Sequence, residues 1–550
     1  MSQENNTNRK YMLWLPVVAA VCLVAGVWTG YFLSRQDPTI PSRQKLDRIF
    51  GIIENNYVDE VAFDSLVEKT IPDLLQNLDP HSAYFSARQR AAANRDLESS
   101  FYGIGISFQM MNDTLVVLEV INGGAAEGAG VMPGDKIIAV DGETIAGNGT
   151  KTDDVFHRLR GPKGTPVTIT VKRGASAQPL NFDLVRDEVP VSPIDASYMI
   201  NDTIGYIRLG KFADNTYPEF MSVMAQLQYD GAKAYILDLR GNTGGYMNPA
   251  VLMANEFLAP NQLIVMTKGR IPSQDNILFS DGSGAYASRP LVVLVDEFTA
   301  SSSEIMAGAM QDNDRALIIG RRTFGKGLVQ RSFELPDSSE FRLTVQRYYT
   351  PSGRCIQKTY TPGHNYEYEA EVYERYSKGE IFSADSIPVD STNIFYTMSG
   401  RPVYGSGGII PDIFIPSDTT GITNYYIKVA NAGLLRNFAY EYADLNRESL
   451  TESRDLAEML TKLPSDGILL QSFVNYASQK GVAPRWYYIN ISAPLIVNQL
   501  KALIARDILG MDGYFEVVNT SDPVVIEAIN RLESGAINDL LIKNSNESNE

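Results

Sequence analysis

The chain has 550 residues, 44% of them hydrophobic, enough for three or four packed domains at roughly 100–200 residues each. A formal net charge of −17 excludes nucleic acid as the principal partner, because neutralising phosphates takes a basic surface. Its two cysteines, Cys22 and Cys355, offer no internal disulfide framework, and His81, His157 and His364 fall in no metal-ligand spacing. No metal, nucleotide or organic cofactor is expected.

Met12 to Leu33, MLWLPVVAAVCLVAGVWTGYFL, is uncharged throughout and follows Arg9 and Lys10. A bilayer span takes about 20 such residues, whereas the apolar part of a signal peptide runs about 7–15. The expectation is an uncleaved anchor in the inner membrane, with a cytoplasmic stub and everything after Ser34 on the far side. A soluble periplasmic protein after signal cleavage is the alternative. From 41 to 100 the pattern is helical, as in LDRIFGIIENNYV and DSLVEKTIPDLLQNL, with LDPHS (78–82) as a turn in which His81 is read as structural.

Near Phe101 the period shortens to strands punctuated by glycine: YGIGISFQM, TLVVLEV, NGGAAEGAGVMPGDKIIAVDGETI and TPVTITVKR. The GIGI stretch and the run A-x-x-A-G-x-x-x-G-D-x-I-x-x-V-D-G ending at Gly142 resemble a PDZ domain, placed at 101–188. A glycine loop lets successive N–H groups converge on a carboxylate, and a strand edge beside it can accept an added peptide strand. Gly103, Ile104, Gly105 and Ile106 are the expected loop, with Ile104, Ile106 and Phe108 lining a slot for the last side chain of a bound tail.

From 189 to 416 strands and helices alternate: AKAYILDLR, NPAVLMANEFL, PLVVLVDEF, TASSSEIMAGAMQDN and RALIIG predict an α/β domain. Beyond it, 417–535 is helical, with Ser521 or Asp522 capping SDPVVIEAINRL, and 536–550 is a polar tail expected to be disordered.

GRRTFGKG, residues 320–327, carries part of the phosphate-loop pattern, but Gly327 stands where a hydroxyl residue belongs and LVQRSFEL beyond it reads as a strand, not a helix. Lys326 therefore needs another role. Ser301-x-x-Glu304 is a capping box at the start of a helix, and most such pairs are only that. Together the two features outline a serine–lysine dyad. Ser301 sits where helix N–H groups can hold an oxyanion, and Lys326, flanked by Gly325 and Gly327, can act as base if burial keeps it neutral.

The run VLVDEFTASSSEIMAGAMQDNDRALIIGRRTFGKGLVQ resembles the signature of the carboxyl-terminal processing peptidases, the tail-specific serine proteases. YVDEV, LDPHS, DLRGNTGG and YYTPSGR extend the resemblance from about Leu46 to Ile415. It implies Ser301 as nucleophile, Lys326 as general base and Gln330 as the lysine's support. It also implies oxyanion N–H groups from Ser302 and from Gly244 or Gly245, and a crotonase/Clp-protease-like α/β core with an inserted β-rich PDZ domain. On one straight strand Lys326 and Gln330 would lie roughly 13 Å apart, so a bend must join them or Gln330 acts indirectly. Glu304 is read as a cap with a secondary positioning role.

The family often runs from TPSGR-x-IQ almost directly into G-I-x-PD. Here Lys358 to Ser406 intervene, and the resemblance gives no role to this insertion or to the helical C-terminal region. The expected activity is endopeptidase cleavage of exported or periplasmic proteins recognised by their free C-termini. A homo-oligomer and an adaptor protein remain open as partners. Two rivals stand against this reading. A catalytically inactive, membrane-tethered PDZ scaffold predicts loss of the serine or the lysine, and both are present. A nucleotide enzyme predicts the missing hydroxyl and helix.

Overall fold

The structure, a computed structural model, describes residues 5–34, 40–94, 99–111, 113–121, 123–174 and 178–535. It divides into two compact bodies, 1–74 and 75–550. The first holds helices Asn5–Ser34 and Ile40–Asn56 and most of Phe63–Gln76, matching the helical period of the sequence. Phe50 and Phe63 meet edge to face at 5.5 Å between ring centres. The polar tail from 536 lies outside the described residues, as do the side chains of 12–15 and 31–33 in the expected anchor. Among the described residues no helix is long and apolar enough to cross a membrane. The described part of the apolar stretch, Pro16 to Gly30, is helical and exposed throughout.

In the second body the central sheet runs Ile194–Met199, Ile204–Leu209, Ala234–Asp238, Leu291–Val295, Leu317–Gly320, Ile413–Phe414. The first pair is antiparallel and the remaining pairs are parallel. Every residue of Ala234–Asp238 and Leu291–Val295 is buried, which is why these strands read as unbroken apolar runs: a central parallel strand is covered on both faces. Helices Thr216–Tyr229, Met247–Phe257 and Ser302–Asp312 pack one face through Phe220, Phe257 and Met306. The last helix, Pro523–Glu533, covers the other with Val524, Val525 and Ala528. Asp522 is its cap, accepting from Val524 N–H at 2.9 Å.

A second sheet is antiparallel and built on Glu340–Tyr349, which pairs with Leu328–Glu334, with Ala83–Phe85 near its start and with Leu263–Gly269 near its end. The stretch after Lys326 is thus a strand, as its alternation predicts. The PDZ-like sheet orders Ile106–Met111, Thr114–Val120, Lys136–Val140, Pro166–Lys172 and Leu180–Val185 around Leu115, Val117, Ile137 and Ile169. Its entering strand Ser100–Gly103 and leaving strand Asp187–Pro190 pair as a neck, the mark of a domain inserted into another. The helical C-terminal region touches it: Tyr440 donates to Gly134 O at 3.2 Å, and Lys136 pairs with Asp444 at 3.1 Å.

Candidate active site

Two buried strands deliver the site at their carboxyl ends, the usual place for chemistry on a parallel sheet. After Val295 the chain turns on Asp296, whose Oδ1 accepts from the N–H groups of Phe298, Thr299 and Gly241, each at 3.0 Å. The turn ends at Ser301 with φ 58° and ψ −116°, and helix Ser302–Asp312 starts at once. A non-glycine residue held there costs on the order of 1–3 kcal/mol, and the surroundings must impose it. Glu304 Oε2 does part of this by accepting from Ser301 N–H at 2.9 Å.

After Asp238 the DLRGNTGG turn is fixed by charge. Asp238 is fully buried, between Arg240 at 2.6 Å and Arg208 at 2.9 Å, with Tyr206 OH at 2.7 Å. Burial alone would raise its pKa, but the two guanidinium groups and the hydroxyl outweigh that and hold it well below the usual carboxylate range. Asn242 then ties the turn to the serine segment: its carbonyl accepts from Ala300 N–H at 3.0 Å and from Ser303 Oγ at 3.0 Å.

The structure separates the two glycines that the sequence leaves as alternatives. Gly244 N–H donates to Asn242 Oδ1 at 2.9 Å, so it is committed. Gly245 N–H has no partner among the described residues, nor has Ser302 N–H in the first turn of its helix, where no intrahelical acceptor exists. Ser302 Oγ donates to Gly245 O at 2.9 Å, locking helix and turn together. Gly244 has a packing task instead: a Cβ there would lie 2.6 Å from Ser301 Cβ.

Ser301, Ser302, Gly244, Gly245, Lys326 and Gln330 all line one cavity of about 520 Å³. Its far wall is Arg342 and Tyr348 of the long strand. Among the described residues the Lys326 ammonium enters no ion pair and no side-chain hydrogen bond. Burial pushes its pKa down from the ordinary lysine value; Glu304 and Asp79 oppose this and Arg342 adds to it.

Gln330 reaches the cavity beyond a bulge between Val329 and Gln330, yet its amide donates to the carbonyl of His81 rather than to the lysine. The sequence therefore misses what the LDPHS turn does. Asp79 accepts from His81 N–H and Ser82 N–H, both at 2.9 Å, and holds the turn against the strand through Thr344 Oγ1 at 2.9 Å. His81 Nε2 meets Tyr368 OH at 3.0 Å, and burial, then Lys326, pushes its pKa down to about 3. It is a half-buried turn residue that burial keeps neutral. No local motif signals that this turn and the lysine would meet.

Glu304 is more than a cap. Fully buried, it accepts from Ser301 N–H and Lys326 N–H with one oxygen, at 2.9 and 2.8 Å, and from Gly325 N–H and Thr323 Oγ1 with the other, at 2.8 and 2.5 Å. Burial raises its pKa while these four donors pull the other way. One carboxylate thereby fixes the backbones of both dyad candidates.

A second cavity, about 660 Å³, opens on the PDZ-like fold and is lined by Gly103 to Phe108 and by Phe156 and Leu159 of helix Thr152–Leu159. The N–H groups of Ile104 and Gly105 have no partner among the described residues, and Gly105, at φ 80°, packs against Gly124. Ile104 and Ile106 are 2% and 7% exposed and belong to the domain core as much as to the slot. Phe108 is half-buried and packs on Phe156 with ring centres 4.7 Å apart. The opposite rim is Leu509 to Asp512, where Gly510 breaks a long helix at φ 76°, ψ −163°.

The sequence profile of peptidase family S41 matches residues 203–365, that of a PDZ domain 103–184, and that of a family of unknown function 425–510. The carboxy-terminal-processing protease of Bartonella bacilliformis is 36% identical over 315 residues, covering 56% of this chain and 71% of its own length. The carboxy-terminal processing protease CtpA of Bacillus subtilis is 34% identical over 315 residues, covering 57% and 66%. A solved photosystem II D1 C-terminal processing protease is 30% identical and covers 57% of this chain and 89% of its own, at a TM-score of 0.30 that by itself carries no weight. This chain therefore belongs to peptidase family S41, as a carboxy-terminal-processing serine peptidase with a PDZ domain.

Proposed function

We propose that this peptidase works through a Ser301–Lys326 dyad on exported proteins whose free C-termini dock in the PDZ groove. The observation that carries the reading is the shared cavity. A strained serine at a helix N-terminus lines the same cavity as a half-buried lysine with no ionic partner among the described residues. Neutral Lys326 takes the Ser301 proton as Oγ attacks the scissile carbonyl. The oxyanion is held by the N–H groups of Ser302 and Gly245. Protonated Lys326 then protonates the leaving amine; water, deprotonated by the same lysine, releases the acyl group and restores Ser301. Gln330 acts indirectly, by tying the His81 turn to the strand that follows Lys326.

In the groove, the Ile104 and Gly105 N–H groups take the tail carboxylate, and Phe108, Phe156 and Leu159 take its last apolar side chain. The helix Asn5–Ser34 serves as a membrane tether with the peptidase on the outer side. This rests on the uncharged run Met12–Leu33 and on the exposure of Val17, Leu23 and Trp28. Sedimentation of the chain with membranes after alkaline carbonate extraction supports the tether, and full release into the supernatant refutes it.

The dyad is tested with the full chain in detergent, an unfolded reporter bearing an apolar C-terminal tail, and Ser301→Ala and Lys326→Ala variants. Both variants should bind the tail and cleave nothing; turnover by either refutes its assigned role.

A further inference from the structure

Lys358 to Ser406, the segment that the family pattern lacks, returns to its starting point. Ser406 N–H donates to Cys355 O at 2.7 Å and Gly408 N–H to Ile356 O at 2.8 Å. Within it, helix Asn365–Ser377 lies almost wholly beyond the S41 match, which ends at 365. This helix turns Arg375, 2% exposed, onto the back of the segment leading to Lys326. All five guanidinium N–H groups are used. Nη1 donates to Arg322 O at 3.1 Å and Thr323 O at 2.9 Å, and Nη2 to Phe324 O at 3.1 Å. Nε and the second Nη2 hydrogen go to Glu371, at 3.0 and 3.1 Å.

We propose that Arg375 is a positioning residue for the peptidase reaction: by binding the carbonyls of Arg322, Thr323 and Phe324 it fixes the loop from which Lys326 enters the catalytic cavity.

The loop needs such a clamp. Gly325, at φ 89°, and Gly327 flank the lysine, and glycine alone would leave it many conformations. The backbone donors of Gly325 and Lys326 face Glu304, while the three preceding carbonyls face Arg375, so two buried groups of opposite charge grip the two polarities of one loop. The insertion adds further ties. Arg322 pairs with Glu380 at 2.6 Å, and Lys358 Nζ lies 3.8 Å from the Phe324 ring centre. Glu371, the counter-charge of Arg375, also takes Lys358 at 2.9 Å. A lysine at 375 has three donors and no planar fork, so it cannot reproduce the five bonds.

This inference rests on the reading of Lys326 as base, and the test separates the two. The full chain carrying Arg375→Lys is compared with wild type, with Lys326→Ala, and with Lys378→Ala, an exposed residue that follows the same helix as its C-cap, as control. Kinetics on the tailed reporter, tail binding by fluorescence anisotropy and the pH dependence of kcat/KM are measured. The expectation for Arg375→Lys is a kcat roughly 10²-fold lower with unchanged KM and tail affinity.

The acid limb of kcat/KM should also move to higher pH, because water admitted to a loosened loop relieves the desolvation of the ammonium. Glu304, Arg342, Asp79 and His81, the groups that face Lys326, are unaltered in the variant. A purely structural role would not move that limb. An unchanged kcat and limb in Arg375→Lys beside an inactive Lys326→Ala overturns this inference alone; an active Lys326→Ala overturns the reading beneath it. If Arg375→Lys does not fold by circular dichroism, Glu371→Gln carries the same readouts. Loss of the counter-charge should then shift the limb in the same direction, and an unmoved limb refutes the proposal.

Discussion

Replacing Gly244 by alanine puts a methyl group where the Ser301 side chain already stands. The added Cβ would lie 2.6 Å from Ser301 Cβ, 2.8 Å from Ala300 O and 3.0 Å from Ser302 N. Carbon atoms rest at about 3.5–4.0 Å, so the serine corner or the glycine turn must retreat by about 1 Å. Neither is soft, because Asn242 and the Asp238–Arg240 pair hold the turn while Glu304 holds the corner. The backbone adds its own cost. At φ 100°, an L-residue loses about 1–2 kcal/mol against glycine.

On the proposed roles, a shift of about 1 Å between Ser301 and the N–H groups of Ser302 and Gly245 corresponds to roughly 10²-fold in kcat. Gly164→Ala supplies the control, since Gly164 has φ 82° but nothing within 4 Å of its would-be Cβ. It should lose about the same 1–2 kcal/mol in thermal denaturation and keep full turnover of the tailed reporter. A Gly244→Ala enzyme with wild-type kcat would falsify the close packing of turn and nucleophile.

Lys326→Met should abolish turnover yet raise the thermal midpoint at neutral pH. The folded chain holds that proton less readily than the unfolded one, so below the unfolded lysine pKa of about 10.4 it loses stability as pH falls, and methionine removes the cost. A lowered midpoint contradicts this. In the active enzyme kcat/KM should rise with pH as Lys326 loses its proton; a profile falling over that limb excludes lysine as base. Asp238→Asn removes a fully buried charge shared by two half-buried arginines and should cost about 3 kcal/mol in denaturant unfolding. The wild-type contribution is present above the unfolded carboxylate pKa of about 3.9 and is lost as pH falls through the lower folded value. In the PDZ groove, Phe156→Ala and amidation of the tail carboxylate should each weaken tail binding by anisotropy without changing single-turnover acylation of a tailless peptide; equal affinity for amidated and free tails removes the carboxylate loop assignment.

Much of this protein was legible because its chemistry is encoded locally. Unbroken apolar runs such as YILD and LVVLV announce buried parallel strands, and the alternation of LVQRSFEL shows that a strand, not a phosphate-binding helix, follows Lys326. The glycine punctuation before Gly142 marked the PDZ fold, and S-x-x-E marked the helix start at Ser301. What failed to show were pairings between residues far apart in the chain. The sequence leaves Gln330 either joined to the lysine by a bend or acting indirectly, and it does not show that the Gln330 amide is held by the carbonyl of His81, whose turn reads as structural. The PDZ resemblance makes Ile104 and Ile106 slot residues, and in the fold they are shared with the core.

The sequence by itself thus determined element type and the side chains offered at Ser301 and Lys326, since period and spacing act within a few residues. The tertiary structure decided which glycine N–H remains unpaired among the described residues, since Asn242 claims that of Gly244 and leaves that of Gly245. It also decided that Glu304 grips both dyad segments and that Arg375 backs the lysine loop. A hydrogen bond is assigned only when its donor and acceptor meet in space, and spacing along the chain does not say which distant groups will claim the same acceptor.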